Sequence, residues 1–130
     1  MLHWFPRSIL LVFLALTLSA CGGAAQSGPG AAVLDYLQAL VDRDGARLAA
    51  LSCPDWETAA QLELESFAAV TVTLEEASCQ ESGADGETTL VSCTGKIVAN
   101  YGNEVLELDL AERSYQVVQQ GGDWLMCGYR

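Results

Sequence analysis

Cysteine is the residue type with the widest choice of chemistry in this chain, and four of the five cysteines lie after residue 50. Four thiols can pair as two disulfides, and they can also hold a zinc ion when Cys-x-x-Cys pairs bring them together. The chain contains no Cys-x-x-Cys, and the gaps between its cysteines are long and irregular. This spacing disfavours a metal centre and a redox-active dithiol. The sequence therefore predicts two disulfides among four residues: Cys53, Cys79, Cys93 and Cys127.

Of the three possible pairings we favour Cys79–Cys93 with Cys53–Cys127. The first pair lies on two neighbouring predicted strands that flank one turn. A face-to-face pair would centre this turn on Gly86, but the visible turn residues, Ser82 to Gly86, are centred two positions earlier. A bulge or a diagonal approach is therefore required. The second pair would join the end of the helical half to the last strand.

The first 20 residues have the three parts of a secretory signal. Arg7 makes the beginning basic, and the apolar run that follows is shorter than the about 20 residues of a membrane-spanning helix. The sequence Leu18-Ser19-Ala20-Cys21 then resembles the lipobox of bacterial lipoproteins, which implies cleavage before Cys21 and a lipid on its thiol. An ordinary cleaved signal fits less well, because such a site has small residues at both −1 and −3. An uncleaved anchor is the other alternative.

These features divide the chain into three parts. Residues 1–20 are expected to be a lipoprotein signal peptide, 21–30 a flexible glycine-rich tether, and 31–130 one folded domain. The resemblance implies an exported protein, lipid-anchored to the cell membrane or the outer membrane, with its domain facing the periplasm or the outside. Gly22 follows the cysteine, where aspartate would resemble an inner-membrane retention signal, so outer-membrane sorting is allowed.

The charge of the mature chain is strongly negative, because five basic and 17 acidic residues follow Ala20 and give a side-chain charge of −12. Such a surface repels phosphates, so we expect no nucleic-acid partner. It also repels anionic lipid headgroups, so the lipid at Cys21, and not the domain surface, is expected to hold the protein at the membrane. A protein or small-ligand partner would be cationic or neutral.

Histidine is absent from the mature chain, because the single histidine is His3. This excludes Ser-His-Asp and Cys-His nucleophilic mechanisms and histidine-ligated metal sites. The acids Glu81, Asp85 and Glu87 are a weak candidate for cation binding, because they lack the pattern of a calcium loop. The sequence predicts no metal and no cofactor.

The hydrophobic pattern predicts helices followed by strands. Helices are expected from Ala31 to about Arg43, from Arg47 to Leu51 and from Pro54 to about Ala68. Alternation and β-branched residues predict strands at Val70 to Leu74, Thr88 to Asn100, Val105 to about Gln119 and Asp123 to Tyr129, with Glu81–Glu87 as a turn. This order indicates an α+β fold, in which N-terminal helices pack on a curved four-stranded antiparallel meander sheet.

The order of elements resembles the nuclear-transport-factor-2-like domains of the cystatin-like superfamily. The first helix and its break, from Val33 to Leu51, resemble the opening of those domains, and Gly122-Asp123-Trp124 resembles their closing strand. The resemblance implies a cone between sheet and helices, which holds a ligand or an active site in some members and side chains in others. Three of the four tyrosines, Tyr36, Tyr101 and Tyr115, and many acids could supply such chemistry, but none falls in a motif that carries over a catalytic role.

We therefore expect a lipid-anchored envelope domain that acts as a non-enzymatic binding or structural module. The alternative is a small acid–base enzyme of the ketosteroid-isomerase or polyketide-cyclase type that uses the cone cavity. An open cavity with a convergent carboxylate and tyrosine would favour the enzyme, whereas a cone filled by side chains would disfavour it. We expect Trp56 and Trp124 to lie in the core, and the acids Glu63, Glu65, Glu75 and Glu76 to form a solvated face.

Overall fold

The structure is a computed structural model that describes residues 27–130. The expected signal peptide, the expected lipidation site at Cys21 and most of the expected tether lie outside the described residues. Among those that are described, no helix is both long enough and apolar enough to cross a membrane.

Three helices open the described chain: α1 (Pro29–Val41), α2 (Gly45–Ala50) and α3 (Pro54–Ser66). Proline stands at the start of α1 and of α3, where its missing N–H costs no hydrogen bond. The side chain of Asp44 accepts a hydrogen bond from the Arg47 N–H at 3.0 Å and caps α2. Cys53 is the N-cap residue of α3, and the hydroxyl of the preceding Ser52 donates to the Leu48 carbonyl at 2.7 Å.

Five strands follow: β1 (Thr71–Asp85), β2 (Thr88–Asn100), β3 (Val105–Asp109), β4 (Ser114–Gln120) and β5 (Asp123–Tyr129). All strand pairs of the sheet are antiparallel, in the order β1-β2-β4-β5. Strand β3 pairs with β2 at residues 96–100, beyond the stretch 89–92 of β2 that pairs with β4. The α+β fold expected from the sequence is confirmed, because helices pack on an open antiparallel sheet.

The predicted single strand from Val105 to Gln119 is wrong, because a short 3-10 helix at Leu110–Glu112 divides it into β3 and β4. The Asp109 side chain accepts a hydrogen bond from the Ala111 N–H at 2.9 Å, and this local bond competes with the ladder. Leu110, in the 3-10 helix, is buried in the core, so the interruption also contributes to packing.

The β1–β2 hairpin is longer than predicted, because β1 continues through most of the expected turn and only Gly86 and Glu87 connect the strands. Two register shifts bend this hairpin, one between Glu75 and Ser78 and one between Glu81 and Gly83. Gly95, at φ +94°, lies opposite the first shift, and a Cβ there would stand 2.6 Å from the Glu76 carbonyl oxygen. The close approach at Gly95 therefore requires glycine.

The structure joins the cysteines in the favoured pairs, Cys79–Cys93 and Cys53–Cys127. Cys79 and Cys93 are directly opposite on β1 and β2. The expected turn from Ser82 to Gly86 is wrong, because the strands are connected at Gly86 and Glu87, and the register shift after Glu81 lets a face-to-face pair fit this turn. The second disulfide holds the start of α3 against β5. There the Cys53 N–H donates to the Met126 carbonyl at 2.7 Å, and the Met126 N–H donates to the Leu51 carbonyl at 2.8 Å.

The core lies between α1 and the sheet. Its largest fully buried side chains include two tyrosines as well as the expected aliphatic residues: Tyr36, Tyr115, Leu40, Leu48, Met126, Val33, Val91 and Val117. Trp56 and Trp124 are half-buried and pack against this core, as expected. The two buried tyrosines therefore place their hydroxyl groups inside the domain.

Candidate functional site

Six side chains meet where α3 crosses the end of the sheet, and we call them the tyrosine–glutamate cluster. They come from α1, α3, the segment before β4, β4 itself and β5: Tyr36, Trp56, Glu63, Arg113, Tyr115 and Tyr129. The cluster therefore gathers both layers of the fold, at the place where the resemblance implies a cone.

A chain of hydrogen bonds runs through the cluster and ends on one carboxylate. The Trp56 indole Nε1–H donates to the Tyr36 hydroxyl at 3.1 Å, and this hydroxyl donates to Glu63 Oε2 at 3.3 Å. Arg113 Nη1 donates to Glu63 Oε1 at 3.2 Å. Each oxygen of the Glu63 carboxylate thus accepts one hydrogen bond, and one of the two donors is a cation.

The aromatic rings fill the space around these bonds. The Tyr129 ring is edge-on to Trp56 at a centroid distance of 5.4 Å and to Tyr115 at 6.2 Å. The Arg113 guanidinium carbon lies 4.1 Å from the centre of the Tyr129 ring, within cation–π range. Side chains therefore occupy this part of the cone.

Tyr115 is the exception to the satisfied hydrogen bonding of the cluster. Its side chain is 1% exposed, and its hydroxyl has no hydrogen-bond partner among the described residues. A buried hydroxyl without a partner costs on the order of 1–3 kcal/mol relative to a partnered one. Among the described residues, this hydroxyl is the one buried side-chain polar atom without a hydrogen-bond partner.

Burial raises the pKa of all three tyrosines of the cluster. The pKa of Tyr36 is raised by burial first and by the Glu63 charge second. Burial raises the pKa of Tyr115 to about 12 against the nearby Arg113 charge, which lowers it, and burial also raises the pKa of Tyr129. The hydroxyls are protonated at neutral pH, so they can donate hydrogen bonds but cannot act as general bases there.

These raised pKa values predict a loss of stability at alkaline pH. Because the folded-state pKa lies above the unfolded value, the contribution is complete below pH 10 and disappears as the pH rises through about 12. For Tyr115 a rise from 10.0 to about 12 corresponds to about 2–3 kcal/mol. Urea unfolding at pH 8 and at pH 11.5 should measure this fall. A flat profile would contradict the assignment.

Substitution Tyr115→Phe should leave the free energy of unfolding unchanged or raise it by up to about 1 kcal/mol, because the hydroxyl lost has no partner. The matched variant Tyr36→Phe removes a hydroxyl that accepts from Trp56 and donates to Glu63, and it should lower stability by about 1–2 kcal/mol. Urea denaturation of both variants measures the difference. Equal losses would show that the Tyr115 hydroxyl is partnered.

The assignment of Glu63 to a solvated face is wrong, since its side chain is only 18% exposed. The spacing along α3 could have predicted the burial of Glu63, because this residue follows Ala60 by three positions and Trp56 by seven. These spacings place it on the helix face that packs against the domain. Glu65 is exposed as expected. The third tyrosine named from the sequence, Tyr101, lies 47% exposed in the β2–β3 turn and outside the cluster.

The acids Glu81, Asp85 and Glu87 are exposed, and the structure does not assemble them into a site. Asp85 forms an exposed ion pair with Arg130 at 3.4 Å. Among residues 27–130, no group of three or more histidine, cysteine, aspartate or glutamate side chains is placed to hold a metal ion. The cation-binding alternative therefore has no geometric support in the described part of the chain.

The clefts on the described surface include four open ones of about 330–450 Å³. The largest of these four is lined by residues around Gly95: Glu76, Lys96, Glu107 and Asp109. Another lies between the start of α1 and the β4–β5 turn, and Trp124 forms part of its wall. None of the four is lined by a residue of the tyrosine–glutamate cluster.

Comparison with solved structures finds the same kind of fold at very low sequence identity. A SEC-C motif containing protein from Rhodopseudomonas palustris is 11% identical with a TM-score of 0.50, over 81% of this chain and 80% of that one. The helical cell shape determining protein of Campylobacter jejuni is 9% identical with a TM-score of 0.51, over 77% of this chain but 38% of that one.

A proposed dehydratase of the nuclear-transport-factor-2-like family from Streptomyces avermitilis is 14% identical, over 75% of this chain and 87% of that one, with a TM-score of 0.48. No protein-family model and no curated protein matches the sequence. The two likenesses with TM-scores of 0.50 and 0.51 show the α+β fold alone, and they assign no activity.

Proposed function

We propose that this chain is an exported, lipid-anchored domain of the cell envelope that serves as a binding or structural module and catalyses no reaction. The anchoring half is supported by the lipobox-like sequence before Cys21. The two disulfides add support, because disulfides persist in exported proteins and are rare in reducing compartments. The acidic surface is consistent with attachment through a lipid and not through the domain.

The non-enzymatic half rests on one observation, the occupied carboxylate of Glu63. A general base must reach the proton that it abstracts. Here Tyr36 and Arg113 each donate a hydrogen bond to one oxygen of the Glu63 carboxylate, and the Arg113 guanidinium lies over the Tyr129 ring. A carboxylate whose two oxygens are both bonded within the protein favours a structural role, in which the cluster holds α3 to the sheet.

The anchoring half is tested by fractionating cells that express the full-length chain. We expect the wild type to remain with the membranes after a high-salt wash, since acyl chains hold by the hydrophobic effect and not by charge. The Cys21→Ser variant should be absent from the washed membranes or retain its leader. Equal membrane retention with a cleaved leader in both proteins would contradict the proposal.

A second candidate function is acid–base catalysis, and the contact between Glu63 and protonated Tyr36 favours it. A carboxylate base beside hydroxyl donors suits proton abstraction next to a carbonyl, with the hydroxyls stabilising the developing oxyanion. Deuterium uptake from D₂O into a panel of enolisable ketones would detect this chemistry by mass spectrometry. We expect uptake no faster than without protein; uptake that is accelerated by the wild type and lost in Glu63→Gln would establish the enzyme instead.

A further inference from the structure

Strand β3 (Val105–Asp109) has a free edge. Within residues 27–130 it pairs with β2 alone, at the end of β2 between Lys96 and Asn100. In an antiparallel pair every second residue directs its backbone N–H and C=O away from the partner strand. A strand with one neighbour therefore offers hydrogen-bonding groups to a further strand, and proteins usually protect such an edge.

The free edge is also apolar. Tyr101 is 47%, Val105 56% and Leu106 42% exposed, and these are three of the four large exposed hydrophobic residues of the described chain. Leu106 pairs with Ala99, which is fully buried, so Leu106 extends the core face of the sheet into solvent. Exposed apolar residues that cluster at the free edge of a strand are typical of an interaction site.

Acidic side chains alternate with the apolar ones along this strand. Glu104, Glu107 and Asp109 are exposed. The single cation beside them is Lys96, and it is already engaged by Glu107 at 2.7 Å and by Glu75 at 3.9 Å. Glu107 is paired with Lys96, whereas Glu104 and Asp109 form no ion pair among the described residues, so the edge carries a net negative charge beside its apolar residues. Such an edge complements a strand that is apolar and basic.

A second copy of this chain complements the edge poorly. When two β3 strands pair antiparallel with their core faces on the same side and in full register, Glu107 lies opposite Glu107 and Asp109 lies opposite Val105. Shifting the register by one pair towards the end of the strand sets Glu107 opposite Asp109. Like charges directly opposite each other destabilise a strand pair. With the opposite shift, Leu106 lies opposite Leu106 and Glu107 lies opposite Val105, so no like charges are directly opposed. In that register only the net negative charge of the two edges opposes self-pairing.

We propose that the free edge of β3 binds an extended segment of another protein in which apolar and basic residues alternate. The segment would add as a strand beside β3, with its basic side chains next to Glu107 and Asp109 and its apolar side chains next to Leu106. Backbone hydrogen bonds would supply the affinity, and the charge pattern would supply the selectivity.

The position of β3 in the domain suits this role. Helix α1 begins against the backbone of Cys79 and ends beside Ala68, where Arg43 donates to the Ala68 carbonyl at 3.0 Å. Strand β1 begins at Thr71, opposite Asn100, and β3 pairs with the same end of β2. The edge therefore lies at the end of the sheet remote from Ser27. A lipid anchor before Ser27 would leave this edge facing away from the lipid surface, and only this orientation rests on the proposed function.

The test uses the full-length protein in detergent solution and a labelled peptide of about six residues, Lys-Val-Lys-Val-Lys-Val. We expect binding with a dissociation constant on the order of 0.1 mM, weakened by salt, and slower hydrogen exchange confined to residues 105–109. The same peptide with glutamate in place of lysine should not bind. No binding at millimolar peptide, or protection outside β3, would overturn the proposal.

Two variants with the same charge change separate the edge from general electrostatics. Glu107→Lys should weaken binding by about tenfold or more, whereas Glu87→Lys, exposed in the β1–β2 turn, should change it less than about twofold. Equal losses, or a peptide-free dimer in sedimentation that Glu107→Lys alters, would overturn the proposal. Because binding is measured in detergent, its failure leaves the anchoring unaffected, and release of the protein from membranes leaves the binding result unaffected.

Discussion

Removal of the Cys53–Cys127 disulfide should lower the free energy of unfolding by about 4 kcal/mol. The disulfide closes a separation of 74 residues, and the entropy that it removes from the unfolded chain grows with the logarithm of loop length. Chemical denaturation of the Cys53→Ala/Cys127→Ala double variant measures the loss.

The second disulfide provides the matched control for this prediction. Cys79–Cys93 closes a separation of only 14 residues, and its double alanine variant should lose about 3 kcal/mol. The strands that it joins are also held by ladder pairs on both sides of the disulfide, whereas β5 meets the Cys53 segment through a single parallel bridge. A larger loss for the short loop would contradict this account of what each disulfide stabilises.

Replacement of Glu63 by alanine should cost about 2–3 kcal/mol, because it deprives both Arg113 and Tyr36 of their acceptor. The side chains of Glu63 and Arg113 are 18% and 35% exposed, so water compensates the loss only in part. The neighbouring variant Glu65→Ala removes the same charge from an exposed position of the same helix and should change stability by less than about 0.5 kcal/mol.

Urea denaturation of these two variants at neutral pH decides whether Glu63 is structural. Equal, small effects would mean that the Glu63 contacts contribute nothing measurable to α3 docking. In that event the argument that Glu63 is occupied by a structural task would fail, and the acid–base alternative would gain support.

Local pattern predicted most of the fold of this chain. The alternation of Val70 to Leu74 identified the beginning of β1, and Pro54 marked the first turn of α3, because each signal depends only on neighbouring residues. The division of the strand at Leu110–Glu112 depends on the side chain of Asp109 bonding to the Ala111 N–H. Aspartate is common in many contexts, so the sequence gives no means to distinguish this bond from a solvated side chain.

The tyrosine–glutamate cluster was only partly predictable. Tyr36 follows Val33 by three positions and precedes Leu40 by four, which places it on the buried stripe of α1, and its full burial agrees with that spacing. The meeting of Glu63 with Arg113 joins residues 50 positions apart in the chain. Such a contact follows from how α3 lies on the sheet, and charge pattern alone does not predict it.

The intact mass of the native protein, purified from its membranes without reductant, tests the central claim most directly. We expect a chain that begins at Cys21, carries the added mass of acyl chains on that residue, and takes up thiol reagent at no cysteine after unfolding. A mature protein without fatty-acid mass, or one with four reactive thiols, would contradict the account of an anchored, disulfide-stabilised domain.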